Sequence, residues 1–216
     1  NAMVLKQSYR IPKSIHTLAE RCIGQVGARV HKTWNPRKEE GHVSWEPSYE
    51  SIDMESGEWL VLARTNYLLN GIEEHCRSEG WFYKNKNRAS VSEKKIMAVR
   101  SWENFRKGGL IPVIELTKVL NYLKVRVPSS LEMIDFDSNV SFEQAKKYVP
   151  TLENEYWYDA FIGVSVSERS YIRAMLRRGE KITKEPRIKL STIHAAKGGE
   201  AENVILLTDI SNRIYK

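Results

Sequence analysis

Apolar and polar positions follow two periods along this chain, and together they mark out its elements. Five short runs read as strands. They are His42 to Trp45, Glu58 to Thr65, Trp81 to Tyr83, Ile188 to Ile193 with β-branched Thr192 inside, and Val204 to Leu207. The last is continuously apolar up to Asp209, the form of a strand buried on both faces. Helical spacing appears after Pro12, where Ile15, Leu18, Ala19, Cys22 and Ile23 share one side. It returns at Leu68, Leu69, Ile72 and Cys76, with Thr65 or Asn66 to cap the start and Gly80 to end it. Ser90 with Glu93 forms a candidate capping box before Ile96, Val99 and Trp102, and Gly108-Gly109 breaks that helix. Leu116, Val119, Leu120 and Leu123 mark another helix. Ser141 with Gln144 opens a fifth, and Ser165 to Arg178 carries Tyr171, Ile172, Met175 and Leu176.

Strand, helix and strand in succession predict an α/β fold with a parallel sheet flanked by helices. Strand signals stop after Tyr83, a basic run begins at Lys84, and strand signals return only at Ile188, so residues 89–185 read as an all-α block set inside that domain. Three segments follow: 3–88, the block 89–185, and a return segment 186–216.

Composition narrows the class. With 216 residues, 41% hydrophobic and 28% charged, the chain reads as globular and soluble. A net charge of +7 favours a polyanionic partner. Cys22 and Cys76 fall on apolar helix faces and read as reduced, buried thiols of a cytoplasmic protein. No Cys/His cluster has zinc spacing, so no metal site is expected. No apolar run approaches the ~20 residues that span a bilayer, and no signal peptide opens the chain. Asn139-Val-Ser141 is a sequon without a secretory context, and Asn1-Ala2 before Met3 reads as a tag remnant.

Three stretches carry candidate chemistry. His194 to Glu200, with Gly198 and Gly199, follows a strand, where parallel sheets place ligands; it also reads as an ordinary turn with a satisfied histidine. Tyr9 beside Arg10 reads as a packing residue and its neighbour, or as a nucleotide clamp in which a ring stacks and a guanidinium grips phosphate. Arg64, Thr65 and Asn66 end a strand. They read as a solvated charge and a helix cap, or as contacts to a nucleic-acid backbone. The cations of Arg169 to Lys189 read as a solvated face or as a phosphate track.

Thr192-Ile-His-Ala-Ala-Lys-Gly-Gly-Glu200 closely resembles motif V of the UvrD/Rep-like superfamily 1 DNA helicases, although Gly199 and Ala201 stand where many members carry Leu and an aromatic residue. Gln7-Ser-Tyr-Arg-Ile-Pro12 resembles their motif IV, and Leu62 to Asn66 resembles a segment with which they touch single-stranded DNA. The resemblance implies a RecA-like domain, the second of two, with a helical insertion. It implies that Tyr9 stacks on adenine, that Arg10 reaches the γ-phosphate as the catalytic cation, and that the Gly198 amide lies near that phosphate. Glu200 would bind the ribose, and Arg64, Thr65, Asn66, Thr192 and His194 would touch the DNA.

No Gly-x-x-x-x-Gly-Lys-Ser/Thr occurs in the chain, and no apolar strand leads into Asp-Glu to hold magnesium. By likeness both belong to a first RecA-like domain preceding Leu5, and an arginine-bearing motif VI would follow Lys216. The expectation is therefore a monomeric piece of an ATP-dependent DNA helicase, inactive alone, binding ATP with Mg2+ jointly with the N-terminal domain. Its partner would be single-stranded DNA, with no membrane. The alternative is a non-catalytic nucleic-acid-binding or scaffolding module of a repair or recombination assembly.

Overall fold

The computed structural model describes residues 6–30, 32–86, 88–133, 135, 137–182 and 184–209. The chain divides into two compact units, Asn1–Ile52 and Asp53–Lys216.

The first unit is built around helix α1, Lys13–Ile23. Pro12 precedes it in an extended conformation, its φ of −67° set by its ring. The first helical N–H groups, which have no partner within a helix, donate to the carbonyls of Glu39 (from Lys13, 3.1 Å) and Glu40 (from Ser14, 2.9 Å). His16 meets the Trp34 ring edge-on with centroids 4.2 Å apart, and its Nε2 lies 3.1 Å from the Trp34 carbonyl. The apolar spacing of α1 is present, but no residue of the helix is buried. Among the described residues this unit contains no strand ladder and no second α-helix. Two expectations fail for that reason: Cys22 is exposed, and His42 to Trp45 forms no strand. Trp45 is 78% exposed.

The second unit is a mixed α/β structure around a mostly parallel five-stranded sheet. Strand β1, Trp59–Ala63, is followed by a 3-10 turn, Asn66–Leu69, then helix α2, Asn70–Glu79, and strands β2, Tyr83–Asn85, and β3, Arg88–Ala89. Helices α3, Glu93–Arg106, and α4, Val113–Tyr122, come next, with β4, Ile111–Pro112, between them. Then follow α5, Ser129–Glu132, β5, Asn139–Val140, α6, Phe142–Tyr148, α7, Trp157–Ala160, and α8, Val166–Arg178. Strands β6, Ile188–Thr192, and β7, Asn203–Leu206, complete the sheet. Its order is β3-β2-β6-β1-β7, with only β3 antiparallel, and β4 pairs with β5 in a separate two-stranded ribbon.

One face of the sheet is the core. Val61, Ala63, Ile188, Leu190 and Ile205 alternate inward along their strands and are buried with Leu69, Ile72 and Cys76 of the following turn and helix. Helix α8 closes over α2. Gly80 ends α2 at φ +72°, and a β-carbon there would stand 2.7 Å from the Ala174 side chain, so both backbone and packing require glycine. Tyr171 of α8 donates to the Trp81 carbonyl (2.7 Å) and pairs with the Ser90 hydroxyl (2.6 Å). That pairing explains why Ser90 caps no helix: α3 starts after Ser92, without a side-chain cap. Ser141 and Gln144 do form the expected reciprocal capping box. A second core fills the helical stretch, where Trp102, Phe105 and Phe142 meet ring to ring and the Trp102 Nε1–H donates to the Glu155 carbonyl (3.0 Å).

Strand β7 departs from expectation. It lies at the edge of the sheet, with Ile205 inward and buried, while Val204 and Leu206 on the other face are each 55% exposed. A continuous apolar run does not guarantee two covered faces; its neighbours decide that. Trp81 and Phe82 are buried as well but precede β2, which starts at Tyr83. Thr65 and Asn66 cap nothing, because the 3-10 turn intervenes before α2.

Candidate nucleic-acid interface

Parallel pairing brings the carboxyl ends of β2, β6, β1 and β7 to one edge in that order. Ladder hydrogen bonds continue one residue past the strands and tie the exits together. The Ile193 N–H donates to the Ala63 carbonyl (2.9 Å), the Leu207 N–H to Leu62 (2.8 Å) and the Lys86 N–H to Leu190 (3.3 Å). Four connections therefore leave side by side, on strands spaced about 4.8 Å apart.

Arg64, Thr65 and Asn66 leave β1 there. The side chains of Arg64 and Asn66 are exposed, and neither has an ion-pair or hydrogen-bond partner among the described residues. Thr65 differs: its hydroxyl oxygen is enclosed and unpartnered. The residue as a whole is half-buried.

The connection after β6 is a series of turns. The Thr192 hydroxyl accepts from the Ala195 N–H (3.3 Å), and the Thr192 carbonyl accepts from the Ala196 N–H (3.0 Å). This fixes the path of the chain past His194, which is exposed. The Gly199 N–H closes a further turn on Ala196 (2.8 Å). Gly198 adopts φ +86°, where a side chain is strained, with nothing within 4 Å of the position a β-carbon would take. Glu200 follows, exposed. Thr192 and His194 thus stand beside Arg64 and Asn66, while Gly198 and Glu200 lie further along the same connection.

Tyr9 and Arg10 belong to the first unit. The segment before α1 is held by the Gln7 side-chain amide, which donates to the Pro36 carbonyl (2.9 Å), and by the Ser8 N–H on Asn35 (2.8 Å). The Ser8 hydroxyl accepts from the Ile11 N–H (3.2 Å) and turns the chain outward. Tyr9 is left 85% exposed, and Arg10 is exposed beside it.

Two further cations join the sheet edge. Lys86, at φ +56°, follows β2 next to Leu190, Arg88 opens β3 opposite Asn85, and both are exposed without an ion-pair partner among the described residues. The basic run further along disperses instead. Arg169 donates to the Tyr158 carbonyl, Arg173 lies 4.1 Å above the Tyr158 ring, and Arg178 bridges Glu55 (2.6 Å) and Glu79 (2.8 Å). Arg187 pairs with Glu180 (3.1 Å) and the Met54 carbonyl. These guanidinium groups hold α8 and β6 to their neighbours.

Titration is perturbed away from this edge. Burial pushes the Cys76 thiol up to about 12, and it raises the Tyr83 and Tyr171 phenols above their usual range. Lys84 holds the Glu185 carboxyl below its usual value. An open groove of about 690 Å³ between α2 and α8, lined by Glu73, Glu74, Arg77 and Tyr171, contains none of the candidate residues. Among the described residues no group of three or more His, Cys, Asp or Glu side chains could hold a metal ion, and no helix is long and apolar enough to cross a membrane. Comparison with protein-family models, curated proteins and solved structures finds no match for this chain. What fold and edge define is a class: a mixed α/β protein whose mostly parallel sheet is flanked by helices and carries polar and cationic groups along its carboxyl edge.

Proposed function

We propose that this chain is the second RecA-like domain of an ATP-dependent DNA helicase of the UvrD/Rep-like kind, residues 3–88 and 186–216, interrupted by a helical insertion over 89–185. The observation that carries the reading is the pairing of Ala63 with Thr192 in adjacent parallel strands. It sets two segments that resemble DNA-touching motifs, far apart in sequence, side by side at the edge where such sheets bind ligands.

On this reading single-stranded DNA crosses the strand ends. Arg64, Lys86 and Arg88 meet phosphates as cations, and Asn66, Thr192 and His194 supply hydrogen bonds to the backbone. Contacts of this kind position a strand without reading its sequence. When bound, ATP with its magnesium supplies the free energy of phosphoanhydride hydrolysis. The residues assigned to it by likeness are each accessible within their own unit: the Tyr9 ring, the Arg10 guanidinium, the open left-handed backbone of Gly198 and the Glu200 carboxylate. Arg10 would offset charge developing on the γ-phosphoryl group, an electrostatic role. The phosphate loop and magnesium carboxylates come from a first RecA-like domain. Because the β6 connection carries Thr192 and His194 at its start and Gly198 and Glu200 at its end, one short segment links strand contact to nucleotide contact.

Steady-state ATP hydrolysis by the protein carrying both domains tests this. Stimulation by single-stranded DNA, lost in Arg10→Ala, is expected. Hydrolysis indifferent to DNA refutes the helicase reading. Salt-sensitive DNA binding without any hydrolysis would favour a non-catalytic binding module.

A further inference from the structure

Tyr67 stands one residue beyond Asn66 in the turn that leaves β1, and its side chain is 75% exposed. Neither its ring nor its hydroxyl has an aromatic, cation–π or hydrogen-bond partner among the described residues. The backbone beneath it is firmly held. The Leu68 N–H donates to the Thr65 carbonyl (3.3 Å), Leu69 is fully buried, and Ala63 at the end of β1 is buried too. A scattered exposed aromatic needs no explanation. This one is anchored on a rigid turn at the carboxyl edge, and it adjoins the exposed guanidinium of Arg64 and the uncommitted amide of Asn66. Single-stranded nucleic acid is bound by that combination: a π-face for a base, with cations and donors for the phosphates on either side.

We infer that Tyr67 is a stacking platform for an unpaired base of single-stranded nucleic acid crossing the carboxyl edge of the sheet. The inference rests on the proposed interface and adds a contact of different chemistry. Arg64, Lys86 and Arg88 act on the backbone charge, whereas Tyr67 acts on a base. Every base has a π-face, so the contact is tolerant of sequence. It also selects unpaired strands, because a base stacked in a duplex has no free face to offer.

The test uses fluorescence anisotropy of labelled oligothymidine with the full 216-residue chain, as wild type, Tyr67→Leu, Tyr67→Phe and Arg64→Ala. Tyr67→Leu is expected to weaken binding about 5- to 150-fold, the range that one stacked base commands, with the salt dependence unchanged. Tyr67→Phe keeps the ring and binds within about 2-fold of wild type. On an abasic oligonucleotide the wild type and Tyr67→Leu bind alike. If Tyr67→Leu binds oligothymidine as the wild type does while Arg64→Ala is weakened, Tyr67 is not a platform and the interface stands. Equal losses in Tyr67→Leu and Tyr67→Phe, or a Tyr67→Leu defect that persists on the abasic strand, also overturn the stacking assignment. If the wild-type chain fails to bind oligothymidine, interface and inference fall together.

Discussion

The Ile193 N–H donates to the Ala63 carbonyl across 2.9 Å, one residue beyond the last ladder pair of β1 and β6. That bond joins the connection holding Arg64 and Asn66 to the one holding Thr192 and His194, so the two leave the sheet side by side.

Arg64 is exposed and has no ion-pair or hydrogen-bond partner for its side chain among the described residues, so its removal costs no contact recorded there. Arg64→Ala should leave thermal stability within about 0.5 kcal/mol. It should lower the magnitude of the log–log salt slope of oligothymidine binding by about 0.7, the contribution of one phosphate on a single strand. Anisotropy titrations at several salt concentrations read both affinity and slope. An unchanged slope would place Arg64 away from phosphate.

The β2–β3 turn extends the same row. Lys86→Ala combined with Arg88→Ala should reduce the slope by about 1.4, additively with Arg64→Ala, because the cations sit on different strands. Asp or Glu at these positions should weaken binding further still. Wild-type binding by the double variant would confine the interface to the exits of β1 and β6.

The two thiols should differ sharply. Cys22 is exposed, whereas Cys76 is buried and its thiol, pushed up to about 12, carries almost no thiolate at neutral pH. An aromatic disulfide reagent should titrate one thiol in the native chain and the second only on unfolding. Two thiols reacting at equal rates would contradict the packing of α2 against the sheet.

Glu103 sets a dependence on acid. Burial alone would raise its carboxyl. Hydrogen bonds from Arg106 (2.7 and 2.6 Å), the Trp157 N–H (3.0 Å) and Lys107 outweigh that and leave it below the ordinary 4.5. A group lowered in the folded state contributes stability that is full above the unfolded value and is lost as pH falls through the folded one. Glu103→Gln should therefore cost about 1–3 kcal/mol at neutral pH, and the difference from wild type should shrink as pH drops below 4.5. Urea melts across that range decide it. A difference that stays constant would mean the carboxylate charge is irrelevant to the α3–α7 contact.

Local pattern located much of the fold, and long-range pairing decided the rest. Strands β1 and β6 and helices α4 and α8 lie close to where apolar spacing put them, and the Ser141–Gln144 box is formed. The insertion of β6 between β1 and β2 is not encoded in any short window. Neither is the exposure of Val204 and Leu206, because a run of apolar residues does not report whether its strand lies at an edge. Ser90 misled for a related reason: its hydroxyl is taken by Tyr171, a residue distant in sequence. At the candidate interface, Arg64, Thr192 and His194 were legible as strand-end residues. Lys86 and Arg88 become neighbours of that set only through sheet order, whereas the exposure of Tyr67 beside Asn66 and the enclosed hydroxyl of Thr65 depend on packing.

Photo-crosslinking of the 216-residue chain to an oligonucleotide carrying a halogenated uracil, with peptides mapped by mass spectrometry, addresses the interface directly. The account predicts adducts on the segments around Arg64 to Tyr67 and Thr192 to His194, suppressed by high salt. Adducts confined to the helical stretch from α4 to α6, or none at low salt, would contradict it.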